Sequence, residues 1–138
     1  MTESRTVRVA VVQAASALFQ RDTAVDTVCR TTAEAAGEGA RLVLFPEAYV
    51  GGYPWALAFG TAVGGRTEAG RRVWARYWSE AITVPGPEIE QMSAAAAEAG
   101  VHFCMGVVER DSTYSGGTLF CTLVYIGPTE RSWASTAS

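Results

Sequence analysis

One stretch of the sequence decides the fold: residues 39–54, which run GARLVLFPEAYVGGYP. Its apolar segment, residues 42–45, predicts a buried strand. Pro46 has no amide hydrogen, so it ends the regular hydrogen bonding of that strand. Glu47 then stands directly after the carboxyl end of the strand, where reacting groups collect in α/β proteins. It is a candidate general base, and the simpler alternative is a carboxylate that caps a helix or pairs with an arginine.

The residues before this stretch predict an α/β fold. Residues 7–14 are rich in β-branched side chains, which predicts a strand. A helix is predicted next, with Asp22 or Thr23 as its cap. It runs to about Glu38, and Gly37 and Gly39 end it. A strand, a helix and a strand in this order favour a parallel pair joined by a right-handed crossover.

The residues after it predict two helices and a hairpin. A helical turn at residues 55–59 and a loop at 60–65 lead into a helix over 67–82, whose aromatic stripe belongs to the core or walls a pocket. A second helix begins near Pro87 and ends at Gly100. Strands over 102–108 and 118–126 are joined by residues 112–117, and the second is expected to be the last strand.

The composition sets the class of protein. A chain of 138 residues, 49% hydrophobic with a net charge of −3, is one globular domain at most, and without a basic patch it is not expected to bind nucleic acid. Its apolar residues 7–18 are too few to span a membrane and follow no basic lead, which predicts a cytoplasmic protein. Cys29, Cys104 and Cys121 form no CxxC pair, so neither a metal site nor a disulfide framework is predicted.

Residues 39–54 resemble the first signature of the nitrilase superfamily, in the longer form typical of true nitrilases. The sequence Phe-Pro-Glu alone would indicate only the wider carbon-nitrogen hydrolase family, and Gly-Tyr-Pro at 52–54 makes the match specific. The resemblance continues through GVVER at 106–110 and GGTLFCTLVYIG at 116–127. We therefore assign residues 1–127 to the N-terminal part of a carbon-nitrogen hydrolase domain and residues 128–138 to a divergent or truncated tail.

The resemblance implies a fold and a reaction. Nitrilases are four-layer α-β-β-α sandwiches, so this chain is expected to be the first half of one, with an unpaired sheet edge and an uncovered apolar face. The family hydrolyses a small nitrile or amide with a Glu-Lys-Cys triad and needs no metal or cofactor, because its nucleophile is a side chain. By position, Glu47 inherits the role of general base. Tyr53 is implied in substrate binding, and Glu130 matches a second active-site glutamate.

The sequence departs from the family after Gly127. A nitrilase would continue with a Gly-Lys-His-Arg-Lys-Leu segment that carries the catalytic lysine, and later with Cys-Trp-Glu, which carries the nucleophile. Neither is present, and all 11 basic residues are arginine. Because triad members act as a unit, we expect a truncated nitrilase that is inactive alone. The alternatives are a non-catalytic protein that associates with itself or with a full-length homologue, and a split enzyme completed by a second chain.

Overall fold

The structure, a computed structural model, describes residues 6–54, 67–129 and 133–137. The predicted turn at 55–59, the predicted loop at 60–65 and Glu130 lie outside these residues. None of the helices in the described part of the chain has the length and apolar character needed to cross a bilayer. Its elements are, in chain order, β1 (Val9–Val11), α1 (Arg21–Gly37), β2 (Leu42–Leu44), α2 (Glu68–Glu80), α3 (Pro87–Ala99), β3 (His102–Arg110), β4 (Leu119–Ile126) and β5 (Trp133–Ala137).

The strands form one mixed sheet in the order β1-β2-β3-β4-β5. The pairs β1–β2 and β2–β3 are parallel, and β3–β4 and β4–β5 are antiparallel. Helix α1 connects the first parallel pair, and α3 precedes β3. The predicted α/β class, the strand-helix-strand unit and the hairpin are therefore confirmed.

The expectation that residues 118–126 form the last strand is wrong. The backbone of β5 pairs with β4, from Ile126 opposite Trp133 to Thr122 opposite Ala137. An edge strand takes its hydrogen bonds from the neighbour that is already in place, so it does not need an apolar run of its own. A segment of small and polar residues therefore gave no strand signal.

Helices α1 and α3 cover one face of the sheet, and the main core lies between these two layers. Alternate residues of β3 point into it, because successive side chains of a strand face opposite ways. A fully buried apolar side chain contributes about 1.5–3 kcal/mol to folding. The members of the main core from α1, α3 and β3 are all at most 1% exposed and include Val25, Val28, Ile89, Met92, Phe103, Met105 and Val107.

The opposite face of the sheet, here called the open face, carries exposed apolar side chains. The register places Val11, Leu44, Cys104 and Tyr125 in one row across four strands. Large hydrophobic side chains that are 36% to 71% exposed occupy much of the face, which agrees with one half of a sandwich. They are Val9, Val11, Leu42, Leu44 and Tyr125.

Helix α2 packs near the far end of β3 and forms a second, smaller core. Tyr77 of α2 is buried there with Phe19, Ala48, Ala81 and Val108. The rings of Phe19 and Tyr77 meet edge to face, with their centroids 6.4 Å apart. The aromatic stripe of this helix thus contributes to the core, as expected from its spacing.

After β2 the backbone stays bonded to β3, although Pro46 ends the regular strand. Phe45 N donates to Cys104 O at 2.9 Å, and Gly106 N donates to Pro46 O at 3.2 Å. The chain then rejoins the ladder, since Val108 N donates to Val50 O at 2.9 Å. Residues 47 and 48 therefore form a bulge between two points of attachment to one strand.

The bulge crosses the open face directly above Gly106. A Cβ added to Gly106 would lie 2.4 Å from the nitrogen of Ala48 and 2.5 Å from the Cα of Glu47. Real Cβ atoms do not approach backbone atoms that closely, so only glycine fits at this position. The bend also requires Ala48 to adopt a positive φ of 48°.

The start of α1 differs from the prediction that Asp22 or Thr23 caps it. The N-cap is Gln20, whose side chain makes no capping bond. The amide of Arg21 instead donates to Oε2 of Glu80 at 2.9 Å. A carboxylate from the end of α2 thus occupies the electropositive start of α1, a long-range contact that local sequence does not contain.

We predict that Gly106→Ala displaces the Glu47 bulge and lowers the free energy of unfolding by about 1–3 kcal/mol, or prevents folding, because the new methyl group overlaps backbone. Gly37→Ala is the control, since a Cβ there meets nothing within 4 Å. Thermal unfolding followed by circular dichroism measures both variants. Equal stability of the two variants would contradict the close approach.

We predict that Glu80→Ala lowers the free energy of unfolding by about 0.5–2 kcal/mol, because it removes the acceptor at the start of α1. Glu34→Ala is the matched control. It breaks an ion pair with Arg30 on the surface of α1, where both side chains are about 60% exposed, and should cost at most about 0.5 kcal/mol. Urea unfolding that ranks the two variants in the opposite order would exclude this role of Glu80.

Candidate functional site

Glu47 lies on the bulge at the carboxyl end of β2, and its side chain is exposed. Because its Cα stands above Gly106, the residue lies on the open face of the sheet. Tyr49 N donates to Gly106 O at 2.8 Å on the far side of the bulge. The carboxylate is therefore carried by a backbone segment that β3 holds at both ends.

Two glycines after the bulge let the chain turn tightly against its neighbours. Gly51 and Gly52 both have positive φ, at 102° and 74°. A Cβ on Gly51 would lie 2.8 Å from the Cβ of Val108, and one on Gly52 would lie 2.9 Å from Cδ1 of Leu18. These contacts hold the segment that leads from Glu47 to Tyr53 close to the sheet, as a glycine turn predicts.

Three further titratable side chains lie near the bulge. Burial raises the pKa of Cys121, and the negative charge of Glu47 raises it further. Burial also raises the pKa of Tyr77 to about 12, with smaller contributions from Cys121 and Tyr53. Glu47 is thus linked to Cys121, Cys121 to Tyr77, and Tyr77 to Tyr53, and these four side chains are called here the Glu47 cluster.

Two other carboxylates near the end of β3 already have partners. Glu109 accepts the hydroxyl hydrogen of Thr122 at 2.5 Å. Asp111 accepts the backbone N–H groups of the turn that follows, and those of Ser115 and Thr113 hold its pKa below the usual value. Both carboxylates therefore support the hairpin, which distinguishes them from the exposed carboxylate of Glu47.

The predicted site residues are placed as follows. Tyr53 is 58% exposed and lies near enough to Tyr77 to influence its titration, so it belongs to the Glu47 cluster. Glu130 lies outside the described residues. Among the described residues, no group of three or more His, Cys, Asp or Glu side chains could hold a metal ion.

Sequence reasoning did not connect Cys121 with Glu47. The structure pairs Cys121 with Val108 across the β3–β4 hairpin, and Val108 contacts the glycine turn after the bulge. Counting back from the hairpin turn gives this register, so the signal was present in the sequence. What the sequence did not reveal is that the bulge lies above the same part of β3.

The arrangement can accept a proton but supplies no activated nucleophile. The exposed carboxylate of Glu47 is a suitable proton acceptor. The pKa values of the three thiols are all raised, chiefly by burial, so they are protonated near neutral pH. The sequence also has no lysine, so the described residues offer a proton acceptor without an activated thiol or an ammonium group.

Comparison with known sequences identifies the family. The profile described as carbon-nitrogen hydrolase matches residues 8–135. A bifunctional nitrilase/nitrile hydratase of Lupinus angustifolius is 44% identical over 126 residues, which are 91% of this chain and 35% of that protein. An aliphatic nitrilase of Sinorhizobium fredii is 45% identical over 121 residues, 88% of this chain and 38% of that protein. The chain therefore spans about a third of the length of these curated relatives.

Solved structures agree on the fold. A CN-hydrolase superfamily protein from Xanthomonas campestris matches with a TM-score of 0.66 at 16% identity, over 98% of this chain and 41% of that one. An amidase from Nesterenkonia, of the nitrilase superfamily, matches with a TM-score of 0.65 at 14% identity, over 96% and 42%. The sheet with its helices is thus a nitrilase-superfamily fold that covers part of each neighbour. By its sequence and its fold, this chain belongs to the carbon-nitrogen hydrolase family.

Proposed function

We propose that this chain is the base-bearing part of a nitrilase that hydrolyses a small nitrile to a carboxylic acid and ammonia, with Glu47 as general base. The observation that carries the proposal is the bulge, which holds an exposed carboxylate over Gly106 at the carboxyl end of β2. The identity of 44–45% with nitrilases favours a nitrile over other substrates of the family.

The reaction requires two further groups, a nucleophilic cysteine and a lysine, and this sequence has no lysine and no Cys-Trp-Glu motif. Glu47 takes the proton of a cysteine thiol, whose sulfur then attacks the nitrile carbon. A lysine cation stabilises the negative charge that develops on the nitrogen. Water converts the thioimidate to a thioester with loss of ammonia, and a second water releases the acid. Tyr53, exposed beside the base, is proposed to contact the substrate, and Glu130 to be a second carboxylate of the site.

The chain alone is proposed to be inactive. It has no lysine, and burial keeps its three thiols protonated. At Cys121, a thiolate would meet the negative charge of Glu47, which disfavours its formation. A base without its nucleophile and cation loses most of the acceleration of a triad.

The open face is the proposed contact surface for the remainder of the enzyme. It carries exposed apolar side chains on β1, β2 and β4, and Glu47 lies on the same side of the sheet. Such a patch on a monomer marks an interaction surface. A segment that covers it could therefore bring a lysine and a cysteine to the carboxylate, whether it belongs to the same polypeptide or to another.

A second candidate function is a non-catalytic interaction protein, which associates with itself or with a full-length homologue. A groove of about 440 Å³ lies beside β1, an edge strand, between its backbone and helix α1. Arg8, Val11, Gln13, Glu34 and Glu38 are among its lining residues. An edge strand with an accessible backbone can accept another strand, so this geometry favours association.

We predict that the isolated chain releases no ammonia from aliphatic or aromatic nitriles, whereas a chimera with the remaining two thirds of the Sinorhizobium fredii nitrilase does. In the chimera, Glu47→Gln should lower kcat/KM by roughly 10²–10⁴, since it removes the base. Glu90→Gln, which removes the same charge from the surface of α3, should leave it unchanged. An active isolated chain would contradict the missing triad members, and an active Glu47→Gln chimera would contradict the role of Glu47.

We predict that the isolated chain self-associates at micromolar concentration through the open face, because this buries exposed apolar surface. Light scattering should give a mass above the 14.6 kDa of one chain. Leu44→Glu, in the centre of the open face, should shift the mass toward the monomer. Ala94→Glu, on the exposed side of α3, is the control and should not. A folded wild-type monomer under these conditions would exclude self-association.

A further inference from the structure

The cross-strand register places the thiol of Cys121 on the open face near the bulge. Cys121 is directly opposite Val108, and Leu123 is opposite Gly106. Directly opposite side chains on one face of an antiparallel pair have Cβ atoms about 4.5–5.5 Å apart. Val108 packs against Gly51, and both Val108 and Leu119 belong to the smaller core around Tyr77 of α2. Cys121, opposite Val108 and two residues after Leu119, therefore lies on the side of the sheet that faces α2.

The loop that carries Glu47 rests on the same two residues of β3. The Cα of Glu47 stands above Gly106, and Gly51 packs against the side chain of Val108. Cys121 is therefore one strand away from the loop, and neighbouring strands are about 4.8 Å apart. The influence of the Glu47 charge on the titration of Cys121 agrees with this placement.

Few other charged or titratable groups approach this thiol within the described residues. Tyr77 faces it from α2, and Tyr53 lies beside Tyr77. Arg110, at the end of β3 on the same face, holds its guanidinium over the ring of Trp78, 4.6 Å from the ring centroid. Glu47 is the one of these groups whose charge raises the pKa of Cys121. The half-buried thiol is thus an uncharged neighbour of the carboxylate.

We propose that Cys121 is a positioning residue of the Glu47 site, whose neutral thiol fills the position beside the base on β4 without adding a second charge. The role of Cys121 in catalysis rests on the proposed function of Glu47. The position of the thiol beside the carboxylate is independent of that function and can be tested in the isolated chain. A neutral side chain here adds no charge beside the carboxylate, whereas an acidic side chain would place a like charge next to it.

The first test measures alkylation of each cysteine by iodoacetamide as a function of pH, with peptide mass spectrometry. In this reaction the thiolate sulfur bonds to the methylene carbon, iodide leaves, and the thiol proton passes to the buffer. Glu47→Gln should move the midpoint for Cys121 to lower pH and raise its rate at pH 8 roughly twofold to fourfold. Cys29, which is influenced by Asp26 instead, serves as the internal control.

Glu90→Gln is the charge-matched control, and it should leave the profile of Cys121 unchanged. Because Glu47 is exposed, its replacement should not unfold the chain, and Glu47→Ala provides a second variant with the same expected shift. An unchanged midpoint for Cys121 in both Glu47 variants would overturn the proposal. An equal shift of Cys29 would also overturn it, because it would indicate a general change of structure.

The second test uses the active chimera. Cys121→Asp places a carboxylate beside Glu47, and this like charge opposes ionisation of the base. The acid limb of the plot of kcat/KM against pH should therefore move to higher pH. Cys121→Ser keeps a neutral polar group, so the acid limb of its pH profile should coincide with that of the wild type. An acid limb that does not move in Cys121→Asp would overturn the role. If the chimera were inactive, the proposed function would fail, while the alkylation profiles would still decide where Cys121 lies.

Discussion

The contact between the Glu47–Ala48 backbone and Gly106 is the constraint on which the rest of the site depends. Atoms that a Cβ would approach to 2.4 Å leave no room for any other residue in β3. The backbone can therefore bulge above the sheet and still return to the ladder at Val50. That crossing takes the residue after Pro46 out of the strand and onto the open face, where its carboxylate is exposed.

The same crossing places the carboxylate on the less covered face of the sheet. Helices α1 and α3 cover one face of the sheet, so the apolar side chains of that face are buried within the described residues. The other face exposes apolar side chains on three strands and carries Glu47 as well. Any segment that buries this surface must approach the carboxylate. The free energy of covering apolar area therefore favours structures in which a further segment lies near Glu47.

Local sequence was sufficient for the elements but not for contacts between distant segments. Apolar runs, glycines and Pro87 predicted the α/β class. In the part of the chain that the structure describes, they also predicted the three helices and four of the five strands, because each of these signals lies within its own element. The cap of α1 could not be predicted, since its acceptor is Glu80, 59 residues away from Arg21. Strand β5 depends on pairing with β4, and the bulge depends on a glycine in another strand.

Within the described residues, the surroundings of Cys121 disfavour its thiolate. A thiolate forms readily only where a cation compensates its charge, and here burial and Glu47 act in the opposite direction on Cys121. Arg110, at the end of β3 on the same face, holds its guanidinium over the ring of Trp78 in α2. Its planar, extended charge also differs from a compact ammonium group. For the proposed base Glu47, the thiol that gives up its proton would therefore need a compensating cation of its own.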